Sequence, residues 1–176
     1  MEIEHEEPRR EGFFFDVQTF RLDLYRLLCC FYSSADFAKK RGRLDGEELG
    51  VLGGQFEEFE VMRLLVNVAS TVRVVSDREK SFFRQLKLKC GVLLPNAAKP
   101  AQQQPLSLRE ACNKILHTSK FNFDARALRV KDNDFVNTQH ALKPFVHLYG
   151  TKDGVEWKAT LNIEEFVRYN ARVIQG

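Results

Sequence analysis

Apolar side chains recur every three or four residues along the first part of the chain. The clearest run lies between Phe13 and Phe31 and consists of Phe13, Val17, Phe20, Leu24, Leu27, Leu28 and Phe31. This spacing puts one continuous apolar stripe on a helix, which we expect to pack into the core. Helical period returns from Gln55 to about Arg84. The β-branched run from Thr71 to Val75 leaves a strand as the alternative there, but the length of the segment favours a helix.

Two segments interrupt the helical pattern. Ser33 to Gly54 contains five glycines. Each glycine in a helix costs about 1 kcal/mol relative to alanine, so this segment predicts a loop with room for a short helical turn. Pro95 to Pro105 includes three consecutive glutamines and is the clearest linker, although it is too short to separate two independent cores. A third helix is expected from Leu106, with a buried face formed by Leu108, Ala111, Cys112, Ile115 and Leu116.

The hydrophobic period changes after His117. Apolar residues then alternate with polar ones in short stretches that indicate weak strands, at Phe121, Phe123, Leu128 and Val130. Phe145–Tyr149 and Val155–Leu161 flank a short connection with two glycines, which is typical of a β-hairpin, and Trp157 is expected to pack on one of its faces. Asn162 is the expected N-cap of a last helix whose first turn carries two glutamates.

Together these elements predict a mainly α or α+β fold. We expect a bundle of about four helices with a C-terminal β-hairpin inserted before the last helix. One domain is expected over residues 1–176, with a disordered N-terminal arm at about residues 1–11 and an internal linker at about residues 95–105. A hydrophobic content of 44%, with fifteen phenylalanines, is enough for one sizeable core.

Composition limits the classes of function. No apolar run approaches the ~20 residues that a helix needs to cross a bilayer, so no membrane span is expected. The N-terminus is acidic where a secretory signal would be basic, which indicates a cytoplasmic location. The four cysteines do not have the spacing of a disulfide framework and are interpreted as reduced thiols. There is no CxxC motif and no helical pair of histidines, so the sequence predicts no metal site and no cofactor.

The chain is mildly basic overall. The formal net charge is +3 and the isoelectric point is near 8.7, but acidic and basic residues are interleaved along most of the chain. A dedicated nucleic-acid binder usually carries a clustered basic stripe, which this sequence lacks. The charge pattern therefore allows binding to RNA or DNA without predicting it.

The segment from Leu108 to His117 suggests chemistry. Read as a helix, it places Arg109, Asn113 and His117 at i, i+4 and i+8, along one ridge. The plain interpretation is a solvated face whose histidine caps the helix C-terminus, where the helix dipole favours an imidazolium. The segment also resembles the HEPN superfamily, a group of helical-bundle domains that often act as metal-independent endoribonucleases. The motif of that family sets a histidine four to six residues after an arginine within a helix.

The resemblance implies roles for these residues. His117 would assist proton transfer while an RNA 2′-hydroxyl attacks the adjacent phosphate, and Arg109 would stabilise the charge on the phosphoryl oxygens. Asn113 matches the polar residue of the motif, but Cys112 stands where the arginine is expected. Arg109 lies about 12 Å along the helix axis from His117, so the two converge only if Arg109 bends back or reaches across a dimer interface. A nucleophilic Cys112 paired with His117 fails on geometry, because five residues turn a helix by about 500°.

The hairpin offers an aromatic and basic surface. The surface would consist of Tyr149 and Trp157, with Lys143, Lys152 and Lys158 nearby, and would stack single-stranded nucleic acid. The predicted RNA-binding residues are Tyr149 and Lys152, together with Lys114 on the third helix. The alternative is that Trp157 attaches the hairpin to a helix and that lysines on edge strands discourage aggregation. Two functions stay open: a non-catalytic, HEPN-like interaction or RNA-associated module that forms a homodimer, and a metal-independent endoribonuclease of toxin or defence type.

Overall fold

Two long helices begin the fold of this chain. The computed structural model describes residues 16–43, 47–78, 87–132 and 134–173. Helix α1 covers Val17–Arg41, and helix α2 covers Glu47–Arg78. Asp16 caps α1, because its carboxylate accepts a hydrogen bond from the backbone N–H of Gln18 at 2.9 Å. The β-branched run in α2 is helical, as its length predicts. The predicted N-terminal arm, about residues 1–11, lies outside the described residues.

Three of the glycines between Ser33 and Gly54 lie inside α2. The predicted loop is wrong over most of this segment, because α1 continues to its last residue at Arg41 and α2 begins at Glu47. A Cβ added at Gly50 would lie 2.4 Å from Cγ of Arg41, and one added at Gly53 would lie 3.3 Å from Cδ1 of Phe37. Glycine therefore lets the two helices approach closely, and their packing outweighs the propensity cost of about 1 kcal/mol per glycine.

A five-stranded antiparallel sheet forms the other layer of the described structure. Its strands are β1 (Lys89–Leu94), β2 (Gln104–Ser107), β3 (Lys120–Asp132), β4 (Phe135–Lys152) and β5 (Val155–Asn162). They pair in the order β2-β1-β5-β4-β3, so β5 is central and β2 and β3 are the edges. The remaining elements are a 3-10 helix at Pro100–Gln102 before β2, helix α3 at Leu108–Leu116, and helix α4 at Ile163–Val173.

The predicted bundle of about four helices with a single C-terminal β-hairpin is therefore wrong. The expected hairpin exists as part of β4 and β5, but β4 begins as early as Phe135 and pairs with β3 along most of its length. Strand β1 is six residues long and does not alternate clearly in polarity, and β2 contains Pro105 from the predicted linker. Their partners are β5 and each other, so long-range pairing rather than local pattern makes them strands.

The helices cover one face of the sheet. Helices α1, α3 and α4 contact the strands, whereas α2 packs on α1 and α3. The inward positions of the central strands are buried, namely Val146 and Leu148 on β4 and Trp157, Ala159 and Leu161 on β5. They share one core with helical side chains such as Leu27 and Phe166, both fully buried. The core therefore lies between the sheet and the helices.

Two local predictions in the last third of the chain are confirmed. Asp153 and Gly154 form the β4–β5 turn with φ angles of 51° and 76°, the positive values that a two-residue hairpin turn requires. Asn162 caps α4, because its Oδ1 accepts a hydrogen bond from the backbone N–H of Glu165 at 3.1 Å.

Candidate nucleic-acid interface

The second face of the sheet presents partly exposed side chains in register across three strands. Side chains alternate between the two faces of a strand, so the residues opposite the buried positions point outward. The strand pairing aligns them in two neighbouring rows: Lys120, Tyr149 and Lys158, then Asn122, His147 and Thr160. None of these six residues is buried, in contrast to the opposite face. The described helices therefore leave this region of the sheet open to solvent.

Tyr149 lies between two lysines at the centre of the first row. Nζ of Lys158 is 5.5 Å from the centroid of the tyrosine ring, and Nζ of Lys120 is 6.0 Å from it. Both distances fall within the range of about 6 Å in which a cation is attracted to an aromatic face. A partly exposed aromatic ring bordered by two positive charges is a combination that can bind single-stranded nucleic acids, by stacking and by phosphate contacts.

The backbone of Tyr149 is held by the junction between α3 and β3. Oγ1 of Thr118 accepts a hydrogen bond from the N–H of Tyr149 at 3.2 Å, and the N–H of Ser119 donates to the carbonyl oxygen of Tyr149 at 2.8 Å. The next residue, Gly150, lies against the indole of Trp157, and an added Cβ would sit 2.3 Å from its Cζ2. These contacts fix the strand on the inner side and leave the tyrosine ring on the open face.

His147 in the second row has a lowered pKa. Its Nδ1 lies 3.0 Å from Oγ1 of Thr160, within hydrogen-bond distance. Burial lowers the pKa of His147 and the nearby charge of Lys158 lowers it further, while Asp124 acts in the opposite direction. The imidazole is therefore favoured in its neutral form, with one nitrogen that donates a hydrogen bond and one that accepts.

The predicted catalytic residues lie on α3 and at its C-terminal end. Arg109 forms an ion pair with Asp77 of α2, with 3.8 Å between Nη2 and Oδ1. Asn113 donates from Nδ2 to Oε2 of Glu110 at 3.2 Å. His117 is exposed and ends the helix, and its backbone N–H donates to the carbonyl of Asn113 at 3.0 Å. Arg109 therefore contacts α2, and Asn113 contacts a residue of its own helix. His117 lies at the helix C-terminus, where the plain interpretation places it.

Two of the three predicted RNA-binding residues are not on the open face. Lys114 packs on the inner side, where its Nζ is 4.2 Å from the ring centroid of Trp157 and 3.3 Å from Oε1 of Glu110. Only 12% of the Lys114 side chain is exposed, so it serves to attach the hairpin to α3. Lys152 is exposed, but it follows Tyr149 by three residues, and strand alternation puts it on the opposite face.

The environments of Cys112 and Cys90 disfavour nucleophilic reactions of their thiols. Cys112 is fully buried, and burial raises its pKa to about 12, which keeps the thiol protonated near neutral pH. Burial also raises the pKa of Cys90. All four cysteines are free, in agreement with the predicted reduced thiols.

Neither a metal centre nor a membrane-crossing helix is found in the part of the chain that the structure describes. No three or more His, Cys, Asp and Glu side chains among these residues come together in a way that could hold a metal ion. None of the described helices combines the length and the apolar character needed to span a bilayer.

Of the residues in the two rows, sequence reasoning found Tyr149 and Lys158. It missed Lys120, Asn122 and His147. The first two alternate with Phe121 and Phe123, and that alternation signals that they point away from the core. It does not reveal that they stand beside residues of β4 that come more than twenty positions later, because the pairing register sets this neighbourhood.

Comparison with known proteins identifies no relative. No family model, no curated protein and no solved structure matches the chain. The resemblance of the α3 segment to the HEPN superfamily therefore stays a prediction.

Proposed function

We propose that this protein is a non-catalytic module that binds single-stranded RNA through the open face of its sheet. The observation that carries the proposal is the row formed by Lys120, Tyr149 and Lys158, in which an aromatic ring is bordered by a lysine on each neighbouring strand. Cytoplasmic location, where such RNA is available, belongs to the same proposal. So does the homodimer expected from the sequence.

The chemistry of the two rows suits a single strand better than a duplex. An unpaired base can stack on the ring of Tyr149, while Lys120 and Lys158 reach the phosphates on either side. Asn122, His147 and Thr160 lie one row further and offer neutral hydrogen-bonding groups to a base edge or to a ribose 2′-hydroxyl. In a duplex the base faces are stacked on one another, so the tyrosine would have nothing to stack on.

The endoribonuclease alternative has weaker support. A metal-independent cleavage site requires an arginine and a histidine that act on the same phosphate. Arg109 is engaged by Asp77 on a different helix, about 12 Å of helix axis away from His117. His147 is partly buried and favoured in its neutral form. Its hydrogen-bond neighbour is Thr160, and the charged groups that shift its pKa are Lys158 and Asp124, so no arginine is among these groups.

Fluorescence anisotropy with a labelled, unstructured RNA tests the proposal. We expect Tyr149→Ala to weaken binding by about 5- to 150-fold, which corresponds to the 1–3 kcal/mol that stacking of one base contributes. Tyr149→Phe keeps the ring and should bind like the wild-type protein. Lys120→Gln and Lys158→Gln should each weaken binding and reduce the salt dependence, by about 0.7 in the slope of log affinity against log salt concentration.

Lys152→Gln is the matched control, because it removes the same charge from the other face of the same hairpin. If it weakened binding as much as Lys158→Gln, the RNA would be responding to net charge and the open face would not be the site. Equal affinity of the protein for the single-stranded RNA and for the same RNA in a duplex would also contradict the proposal.

The same samples separate binding from catalysis. RNA is incubated with wild-type protein and with His117→Ala in the presence of EDTA, and the product ends are analysed for cyclic phosphate. We expect intact RNA in both cases. Cleavage that is lost in His117→Ala would establish the metal-independent endoribonuclease instead and make Arg109 the next residue to replace.

A further inference from the structure

The open face of β4 carries a second aromatic ring, four residues before Tyr149. Strand alternation puts Phe145, His147 and Tyr149 on this face, because Val146 and Leu148 between them are fully buried on the other face. The side chain of Phe145 is 36% exposed. Two residues of a strand advance by about 7 Å, so the Cα atoms of Phe145 and Tyr149 are about 14 Å apart. Three ring side chains therefore lie in line along β4 at even spacing.

This spacing matches that of an extended single strand of nucleic acid. Neighbouring nucleotides of a helical strand are ~3.4 Å apart, and an unstacked backbone extends to about twice this distance. One nucleotide therefore corresponds to two residues of β4. If the first base stacks on Tyr149, the second lies over His147 and the third reaches Phe145. Bases of every kind have an aromatic face, so a second ring adds affinity without a sequence preference.

The other directions from Tyr149 offer no comparable contact. Toward the β4–β5 turn this face presents Glu156, which is exposed and whose carboxylate would repel phosphates. Toward β1 the row continues from Lys158 to Leu94, which is half-buried and uncharged. Toward β3 the row ends after one residue, because β3 is an edge strand. The open face therefore favours a strand that continues from Tyr149 in the direction of Phe145.

The charges near Phe145 largely cancel each other. Lys143 lies two residues before Phe145, and its Nζ is 3.3 Å from Oδ2 of Asp124. A nucleotide at this end would therefore be held by stacking more than by its phosphate. Loss of Phe145 should then lower the affinity without changing its salt dependence, whereas loss of Lys158 should change both.

We propose that the RNA site extends along β4 from Tyr149 to Phe145 and holds three consecutive nucleotides, with the first base stacked on Tyr149 and the third on Phe145. The middle nucleotide contacts the row of His147, Asn122 and Thr160. This inference rests on the proposed function, because it adds a second stacking residue and a minimum length to the same face.

Oligouridylates of two to eight nucleotides test the minimum length when they compete with the labelled RNA in fluorescence anisotropy. For the wild-type protein we expect the affinity to rise at least about 5-fold from the dinucleotide to the trinucleotide, because the third base reaches Phe145. In Phe145→Ala most of this rise should be lost. Binding of the labelled RNA should weaken by about 5- to 150-fold, with an unchanged slope of log affinity against log salt concentration.

Two further substitutions separate the ring from the apolar bulk of the side chain. Phe145→Tyr keeps the ring and should bind the RNA like the wild-type protein. Phe145→Leu keeps an apolar side chain without a ring and should bind at least about 5-fold more weakly than Phe145→Tyr. Circular dichroism verifies that each variant is folded. Equal binding by the leucine and tyrosine variants would contradict stacking on this residue.

Phe135→Ala is the matched control, because it removes the same side chain from the start of the same strand, ten residues from Phe145. If Phe145→Ala bound the RNA like Phe135→Ala while Tyr149→Ala weakened binding, the extended site would be overturned and the proposed function would stand. If neither Phe145→Ala nor Tyr149→Ala weakened binding, both would be overturned.

Discussion

Adding a single methyl group at Gly150 should destabilise the protein. Gly150 lies on β4 beside the residue that carries the proposed stacking surface, and it pairs with Trp157 on β5. A Cβ at this position would lie 2.3 Å from Cζ2 and 2.7 Å from Cε2 of the indole, and 3.1 Å from the carbonyl oxygen of His117. Ordinary van der Waals contact begins at 3.4 Å, so the indole would have to move by about 1 Å in Gly150→Ala.

The indole has little room for that movement. Trp157 is 3% exposed, and Nζ of Lys114 lies 4.2 Å from its ring centroid. Overpacking of a filled core costs about 1–3 kcal/mol. In a domain of this size each kcal/mol lowers the melting temperature by about 2–4 °C, so Gly150→Ala should lower it by about 2–12 °C. Thermal unfolding followed by circular dichroism measures the difference.

Two further variants separate steric overlap from a general effect of alanine. Gly54→Ala places its Cβ 3.5 Å from Nη1 of Arg41 inside α2, where alanine should stabilise the helix by about 0.5–1 kcal/mol. In Trp157→Leu the obstructing ring is gone, so adding Gly150→Ala should cost less than it does in the wild-type background. A melting temperature of Gly150→Ala within 1 °C of the wild type, or strict additivity of the pair, would refute the reasoning.

Two other predictions concern the buried Ser34 and the partly buried His147. Ser34 is fully buried and its Oγ accepts a hydrogen bond from the backbone N–H of Leu142 at 2.8 Å, so Ser34→Ala should lower the free energy of unfolding by about 1–3 kcal/mol in urea titrations, against a change below about 0.5 kcal/mol for the half-buried Ser33→Ala. NMR titration should place the pKa of His147 below 6.5, and Lys158→Gln should raise it. Because the folded state favours the neutral imidazole, the stabilisation from His147 is present above pH 6.5 and is lost as the pH falls through its folded-state pKa, which measurements of unfolding against pH can check.

Local patterns in the sequence correctly predicted the elements whose stabilising contacts join residues close together in the chain. The apolar stripe of α1, the capping of α4 by Asn162 and the turn at Asp153 and Gly154 all depend on residues a few positions apart. The glycines of α2 misled the same reasoning, because a propensity scale does not contain the neighbouring helix. Position 50 requires glycine because a Cβ added there would overlap Arg41 of α1.

The sheet and the site depend on register, which local pattern does not contain. Strand alternation alone would have predicted that Lys152 lies on the face opposite Tyr149, since the two are three residues apart. It could not have brought Lys120 to the tyrosine, because twenty-nine positions separate the two residues along the chain and the β3–β4 pairing includes a register shift between Phe123 and Ala125.

The position of the two lysines distinguishes a binding surface from protection of a sheet edge. Lysines often occur on edge strands, where they discourage pairing with another chain. Lys120 is on β3, an edge strand, and that explanation would suffice for it. Lys158 is on β5, the central strand, which has β1 and β4 on its two sides and needs no such protection. In the proposed function, Lys158 beside Tyr149 would contact a negatively charged ligand that crosses the middle of the sheet, so Lys158→Gln is the most informative of the charge variants.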